Sequence, residues 1–306
     1  MQRRNFVKNL AATAGVTTLN GLPNADQPSA KNTFKLKYAP HLGMFQNLGG
    51  KDIVGQLQFM ADQGFTALED NGMTGRPPEE QTKIGDTLTK LGMELGVFVL
   101  NKGGNGANTL AAGKKEYIDI FLKGCQNAIE VAKRCKTKYT TVVPGDFHRD
   151  LPIGIQTGNV IEALRRGAEM LEPHGLIMVL EPLSDSPNLF LRTSDQTYEI
   201  CKAVNSPSCK ILFDIYHMQK NEGHIIQHIN WCWDEIGYFQ QGDNPGRNEP
   251  GTGEINYQNV FRHIYKKMKE TSRDFIFGME HGISVAGAEG EKKLIEAYKW
   301  ADNFTV

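Results

Sequence analysis

The chain has 306 residues, a formal net charge of -1 and 40% hydrophobic content, enough for one large α/β domain with a substantial core. Its 34 Lys+Arg and 35 Asp+Glu nearly cancel, and no basic run follows the first few residues, so a nucleic-acid partner is not expected. Cys125, Cys135, Cys201, Cys209 and Cys232 form no CxxC pair and no zinc spacing, which favours reduced thiols in or near the core, one disulfide staying open if the chain is exported.

In chain order the first feature is MQRRNFVKNLAATAGVTTLNG, where Arg3 and Arg4 precede Phe6, Val7 and a weakly apolar Ala/Thr/Gly segment without acids. Basic, then apolar, then polar is the order of a processing signal. The segment resembles a twin-arginine export signal, with Val7 where leucine is usual and Lys8 in register. That resemblance implies a periplasmic protein whose residues 1–30 are a signal and its polar tail, Ala30 being one candidate cleavage position. The alternative is a cytoplasmic chain with a basic tail. No later apolar run reaches the ~18 residues a membrane helix requires, so no membrane partner is expected once the signal is removed.

From Thr33 onward short apolar runs alternate with amphipathic segments, the pattern of βαβ units and a parallel sheet. Strands are expected in FKLKYA (34–39), FTALED (65–70), LGVFVLN (95–101), KYTTVVP (138–144), LIMVLEP (176–182), KILFDIY (210–216), IGYFQQ (236–241) and DFIFGME (274–280). Between them, Ile53, Val54, Leu57, Met60 and Ala61 form one helical stripe. Ile84, Leu88 and Leu91 form another, opened by Pro78-Glu79-Glu80 and closed by Gly92. Further helices are expected in 118–133, 159–171, 194–204, 223–228, 257–269 and 289–301. Strands alternating with helices in this number and over this length predict a (β/α)8 TIM barrel, usually ~250 residues. An open doubly wound sheet is the runner-up, but no Gly-rich phosphate turn follows the first strand. No linker or composition break divides residues 31–306, which read as a single domain.

Several strands end in a carboxylate or amide after an apolar run: Glu69, Glu181, Asp214, Gln240 and Glu280. One glutamate at a strand end is more often solvated or paired with a lysine or arginine than functional. A barrel, however, opens the C-terminal ends of all its strands on one face, so these groups converge. Carboxylates drawn to one apolar-walled mouth repel one another unless a cation lies between them, and a divalent metal is the simplest resolution. Oxygen ligands favour Mg²⁺ or Mn²⁺, with Co²⁺ or Zn²⁺ as alternatives.

The motifs VLEPL (179–183), FDIYHMQ (213–219), PGRNEPGTGEINY (245–257) and GMEHG (278–282) resemble those of hydroxypyruvate isomerases and their relatives in the xylose-isomerase-like sugar phosphate isomerase/epimerase superfamily of TIM barrels. The resemblance runs from about Leu36 to the end with order and spacing kept. It implies a metal held by Glu181, Asp214, Gln240 and Glu280, with Glu181 and Glu280 as the catalytic acid/base pair. It also implies that His217 and Arg247 contact substrate oxygens and that Glu69, facing the same mouth, is a substrate-binding residue too. This chain departs from the family in Tyr238-Phe239-Gln240-Gln241-Gly242-Asp243, where many members read His-Ile-Gln-Ile-Ala-Asp, in His281, and in the 101–117 loop. Of the adjacent Gln240 and Gln241 only one can reach the metal, and register favours Gln240.

The implied reaction is aldose–ketose isomerisation of a small hydroxy-carbonyl compound through an enediolate, without an organic cofactor. Rival readings are a ketose 3-epimerase, a keto-sugar dehydratase or lyase on the same metal, and a non-catalytic periplasmic sugar-binding barrel. A lone histidine near a strand end is more often structural, but His217 lies three residues after Asp214 and can swing into the same mouth. Arg247 offers a forked donor, its alternative being a loop salt bridge to Glu249 or Glu254. The expected partner is a small molecule, and a homo-oligomer is compatible with the sequence.

Overall fold

A computed structural model describes residues 34–306. The export signal read in residues 1–30 lies outside the described residues. Each expected strand segment overlaps a strand, the third in Leu95 alone: β1 (Lys37–Ala39), β2 (Ala67–Leu68), β3 (Glu94–Leu95), β4 (Tyr139–Val142), β5 (Ile177–Leu180), β6 (Cys209–Asp214), β7 (Ile236–Gln240) and β8 (Ile276–Gly278). All neighbouring strands pair in parallel, in the order β1-β8-β7-β6-β5-β4 with β2-β3 alongside. Single parallel bridges, His41 to Glu69 and Val99 to Thr141, join β1 to β2 and the β3 segment to β4 and close the barrel. The expected third strand thus starts at Glu94 and continues beyond Leu95 as wall rather than ladder, Leu100 N–H donating to Thr141 O at 3.0 Å.

The helices follow their apolar stripes: α1 (Ile53–Asp62), α2 (Pro78–Leu91), α3 (Lys115–Cys135), α4 (Ile153–Leu171), α5 (Ser194–Val204), α6 (Ile215–Asn221), α7 (Ile225–Cys232), α8 (Tyr257–Thr271) and α9 (Gly287–Asp302). Gly92 closes α2 in the left-handed region at φ 69°, where a side chain is strained. α6 corrects the reading of KILFDIY as strand through Tyr216. Asp214 Oδ1 accepts the N–H groups of Tyr216 (2.7 Å) and His217 (3.2 Å), a side-chain N-cap that starts a helix at once. Among the described residues no helix is long and apolar enough to cross a membrane. All five cysteines are buried free thiols.

Strand periodicity sorts the barrel into layers. Ala39, Ala67, Val97, Val179, Leu212, Tyr238 and Ile276 pack together as one inner layer. Their chain neighbours Leu68, Leu180, Phe213, Phe239 and Phe277 belong to the larger core that the helices cover. Two residues beyond an inner-layer position, the strand faces inward again. In β2, β5, β6 and β7 that next position is Glu69, Glu181, Asp214 and Gln240, at the C-terminal rim. Gln241 has the opposite parity and turns outward, its Nε2 donating to Phe277 O (3.4 Å) and to the hydroxyl of Tyr298 on α9 (3.3 Å).

Candidate active site

Glu181 follows β5, Asp214 ends β6, His217 sits in the first turn of α6 and Glu280 follows β8; one ligating atom from each lies within 4.8 Å of all the others. Asp214 and His217 are fully buried, Glu181 nearly so, and the Glu280 side chain keeps 27% of its exposure. Asp214 divides its oxygens: Oδ1 caps α6 and Oδ2 has no partner. Glu181 Oε1 and Gln240 Oε1 are likewise buried acceptors without a donor. Gln240 stands beside Asp214 in the β6–β7 register and beside Gly278 in the β7–β8 register.

Burial, reinforced by the neighbouring Glu280 and Asp214 charges, pushes the Glu181 carboxyl well above the ordinary carboxylate range. Burial and the Asp214 and Glu69 charges do the same to Glu280. Glu69 is pushed up to about 8, mainly by burial. So much negative charge in a dry mouth is tolerated either by keeping protons or by taking a cation. Unpartnered oxygens at the ends of β5, β6 and β7, with Glu280 opposite, fit a hard divalent ion.

His217 faces this cluster with Nε2 3.7 Å from Asp214 Oδ2 and 3.9 Å from Glu181 Oε1. Its Nδ1 receives the Ser184 backbone N–H at 3.2 Å and lies 2.8 Å from Ser184 Oγ. Burial holds the ring below its usual pKa, hence neutral. Arg247 Nη2 stands 3.1 Å from Nε2, and a neutral ring cannot accept from both donors. One ring nitrogen therefore accepts and the other carries the proton, with Ser184 and Arg247 competing for the acceptor.

Arg247 reaches the site from the loop after β7. Its Nη2 donates to Glu280 Oε2 at 2.8 Å and its Nε to Glu280 O at 3.2 Å, while the guanidinium lies 5.0 Å above the Tyr216 ring. The alternative loop salt bridge is not formed: Glu249 accepts from Ser284, and Glu254 from Gln219. The loop is stiff because buried Asp243 accepts four backbone N–H groups, from Asn244 (2.9 Å), Ile255 (3.1 Å), Gly251 (2.8 Å) and Gly253 (2.9 Å). Arg247 itself sits at φ 51°, a conformation such a hub can impose on a non-glycine residue.

Sequence reasoning missed Asp243 and also Asn71, whose Nδ2 donates to Glu280 Oε1 at 2.9 Å. The only signal for Asn71 was its place two residues after Glu69, the period of a strand. Glu69 is brought to the same rim but is enclosed. Tyr238 donates its hydroxyl to Oε2 at 3.0 Å and Gln240 its Nε2 to Oε1 at 2.8 Å.

Residues 57–303 match the xylose isomerase-like TIM barrel family. The hydroxypyruvate isomerase of Escherichia coli K12 is 34% identical over 150 residues, covering 47% of this chain and 57% of that protein. The 2-oxo-tetronate isomerase of Pectobacterium atrosepticum is 33% identical over 216 residues, covering 67% of this chain and 78% of that protein. A crystal structure of an AP endonuclease, family 2, from Brucella melitensis superposes with a TM-score of 0.71 at 19% identity, covering 87% of this chain and 97% of that one, and so shares the fold. The match across residues 57–303, together with carboxylates delivered to the rim by β5, β6 and β8, shows that this chain belongs to the xylose isomerase-like TIM barrel family.

Proposed function

We propose that this protein is a divalent-metal-dependent isomerase of a small hydroxy-carbonyl compound, of the hydroxypyruvate isomerase kind. The observation that carries the reading is the convergence of Glu181, Asp214, His217 and Glu280 within 4.8 Å, with buried acceptors left unpartnered beside them. The names of the relatives described above support the same reaction class.

Glu181, Asp214, Gln240 and Glu280 would hold the ion, Mg²⁺ or Mn²⁺ suiting an all-oxygen set best. A bound divalent cation supplies electrophilic polarisation of the substrate carbonyl and its neighbouring hydroxyl. One of Glu181 and Glu280 would remove the proton from the hydroxyl-bearing carbon, giving an enediolate; a carboxyl would return a proton to the former carbonyl carbon while the hydroxyl proton passes to the former carbonyl oxygen. The His217 ring and the Arg247 guanidinium would contact substrate oxygens, and Asn71 steadies Glu280.

A cavity of about 190 Å³ lined by Asn71, Thr74, Asn101, Lys102, Asn105 and Val143 opens beside Asn71, the partner of Glu280, and itself includes none of the converging carboxylates. A larger one, about 760 Å³ between Phe147, Arg149, Asn188 and Arg192, includes none of the converging carboxylates.

Metal-reconstituted protein in D₂O, offered hydroxypyruvate, tetroses, ketohexoses and 3-keto-sugars, is expected to put solvent deuterium on carbon in a C3 or C4 hydroxy-carbonyl product. Absence of exchange with every substrate removes the enediolate reading, and exchange with loss of water or of a leaving group makes the protein a lyase. Arg247→Ala is expected to raise KM tenfold to a hundredfold, since a hydrogen bond to a charged group contributes about 1.5–3 kcal/mol. An unchanged KM would show that the guanidinium serves Glu280 alone.

The Arg3-Arg4 sequence and the polarity order of residues 1–30 support export to the periplasm. Arg3→Lys with Arg4→Lys is expected to leave precursor in the cytoplasm, and unaltered fractionation counts against a twin-arginine route.

A further inference from the structure

The geometry points to Glu69 as the positioning residue of the cation site: it fixes the Gln240 amide so that Oε1, rather than Nε2, faces the cluster, and touches neither ion nor substrate itself. This inference rests on the metal-dependent reading above.

A glutamine amide has two ends of nearly equal shape and opposite polarity. As a ligand it works only with oxygen forward, because an NH₂ turned toward a cation repels it. In this barrel Glu69 Oε1 lies 2.8 Å behind Nε2 and accepts from it. Flipping the amide would forfeit this hydrogen bond, set the Gln240 oxygen against the acceptor oxygen of Glu69 and turn the NH₂ toward the site. The Tyr238 hydroxyl donates to Oε2 at 3.0 Å, so the carboxylate cannot rotate away without losing a buried hydrogen bond. Tyr238 is fully buried in the inner layer with its ring centroid 5.6 Å from that of Tyr139. The Tyr238–Glu69–Gln240 chain therefore leaves one free valence at its upper end, the unpartnered Gln240 Oε1.

Two glycines make room for this chain. A Cβ on Gly278 would stand 1.7 Å from Glu69 Oε2 and 2.9 Å from Gln240 Cγ, and a Cβ on Gly96 would stand 2.2 Å from the Tyr238 hydroxyl. Glycine weakens the interior of a strand, so in β8 and beside β3 it marks a close approach that the barrel must accommodate. The resemblance implies substrate binding for Glu69, but a residue 2% exposed with a protein donor on each oxygen is built to hold another side chain.

The test is calorimetric titration of metal-stripped full-length protein with Mn²⁺, followed by KM at saturating Mn²⁺. Glu69→Ala is expected to weaken Mn²⁺ binding tenfold to a hundredfold, the range for lost support behind a ligand, with KM unchanged. Glu69→Met keeps the volume and gives the same result if alanine prevents folding. Glu69→Gln, which keeps a carbonyl acceptor for Gln240 Nε2, recovers most of the affinity. Gln240→Ala with Glu69→Ala loses no more than Gln240→Ala alone, because each removes the same ligand function. The proposal is overturned if Glu69→Ala and Glu69→Met bind Mn²⁺ as the unaltered chain does, or if they raise KM while Mn²⁺ affinity stays unchanged, which would make Glu69 a substrate contact. If the unaltered chain binds no Mn²⁺, the metal reading itself falls, an outcome distinct from both.

Discussion

Glu181→Gln and Glu280→Gln are each expected to lower kcat by roughly 10³-fold or more at saturating Mn²⁺, the upper part of the range for removing a positioned general acid or base. Glutamine keeps the shape and one oxygen, so the barrel should fold and the ion should still bind, more weakly. What disappears is the capacity to take and return a proton. Both residues carry the penalty because the reaction moves a proton from one carbon to its neighbour, and each glutamate faces the cluster from a different strand end, after β5 and after β8. Single-turnover measurement with Mn²⁺ titrated to saturation separates lost chemistry from lost metal. Near-full turnover in either variant means that the two-glutamate assignment is wrong. A tenfold asymmetry would identify the partner that starts the reaction in the favoured direction.

Removal of the ion has the next largest effect. Chelation is expected to abolish turnover and to change how stability depends on pH. In the metal-free protein Glu69 is raised to about 8, with Glu181 and Glu280 raised as well, whereas the same groups titrate near 4.3 in the unfolded chain. Above that unfolded value and up to the folded one, the native state binds more protons than the unfolded state, so stability falls as pH rises. Below about pH 6.5 the buried neutral His281, held near 4, pulls the other way, because the unfolded ring takes a proton that the folded one refuses. Above about 8 Lys102, lowered to about 8 by burial, also favours the native state as pH rises. The clean interval is therefore pH 6.5 to 8, where the metal-free Tm is expected to fall. Mn²⁺ competes with the protons, so it should raise Tm more at pH 8 than at pH 6.5; the stabilisation is about 2.7 kcal/mol where the ion stands at a hundred times its Kd. A metal-free Tm that rises through this interval, or turnover that survives chelation, contradicts a carboxylate cation site.

Much of this was legible from the chain alone. Alternating apolar runs and amphipathic segments place eight strands, and period-2 parity within IGYFQQ separates Gln240, which faces the rim, from Gln241, which turns to Tyr298. Glu181, Asp214 and Glu280 stood out because each follows an apolar run at a strand's C-terminal end. These are local regularities, set by side-chain direction along one strand.

What the sequence could not show depends on contacts between distant segments. Asp214 reads as the end of a strand, but its capping of α6 turns His217 back toward the cluster, a local competition that apolar periodicity does not register. Arg247 has acidic neighbours in its own loop, yet it pairs with Glu280, 33 residues away, because Asp243 ties down the loop backbone. Glu69 lies 171 residues from Gln240 and Asn71 lies 209 from Glu280. The motif resemblance named Glu69 but could not say that both its oxygens are already held. Residue type and strand parity, carried by the sequence, determined which groups arrive at the rim; barrel closure alone decided which of them converge with an oxygen left free and which are held by or support a neighbour, because only closure makes neighbours of residues this far apart in the chain.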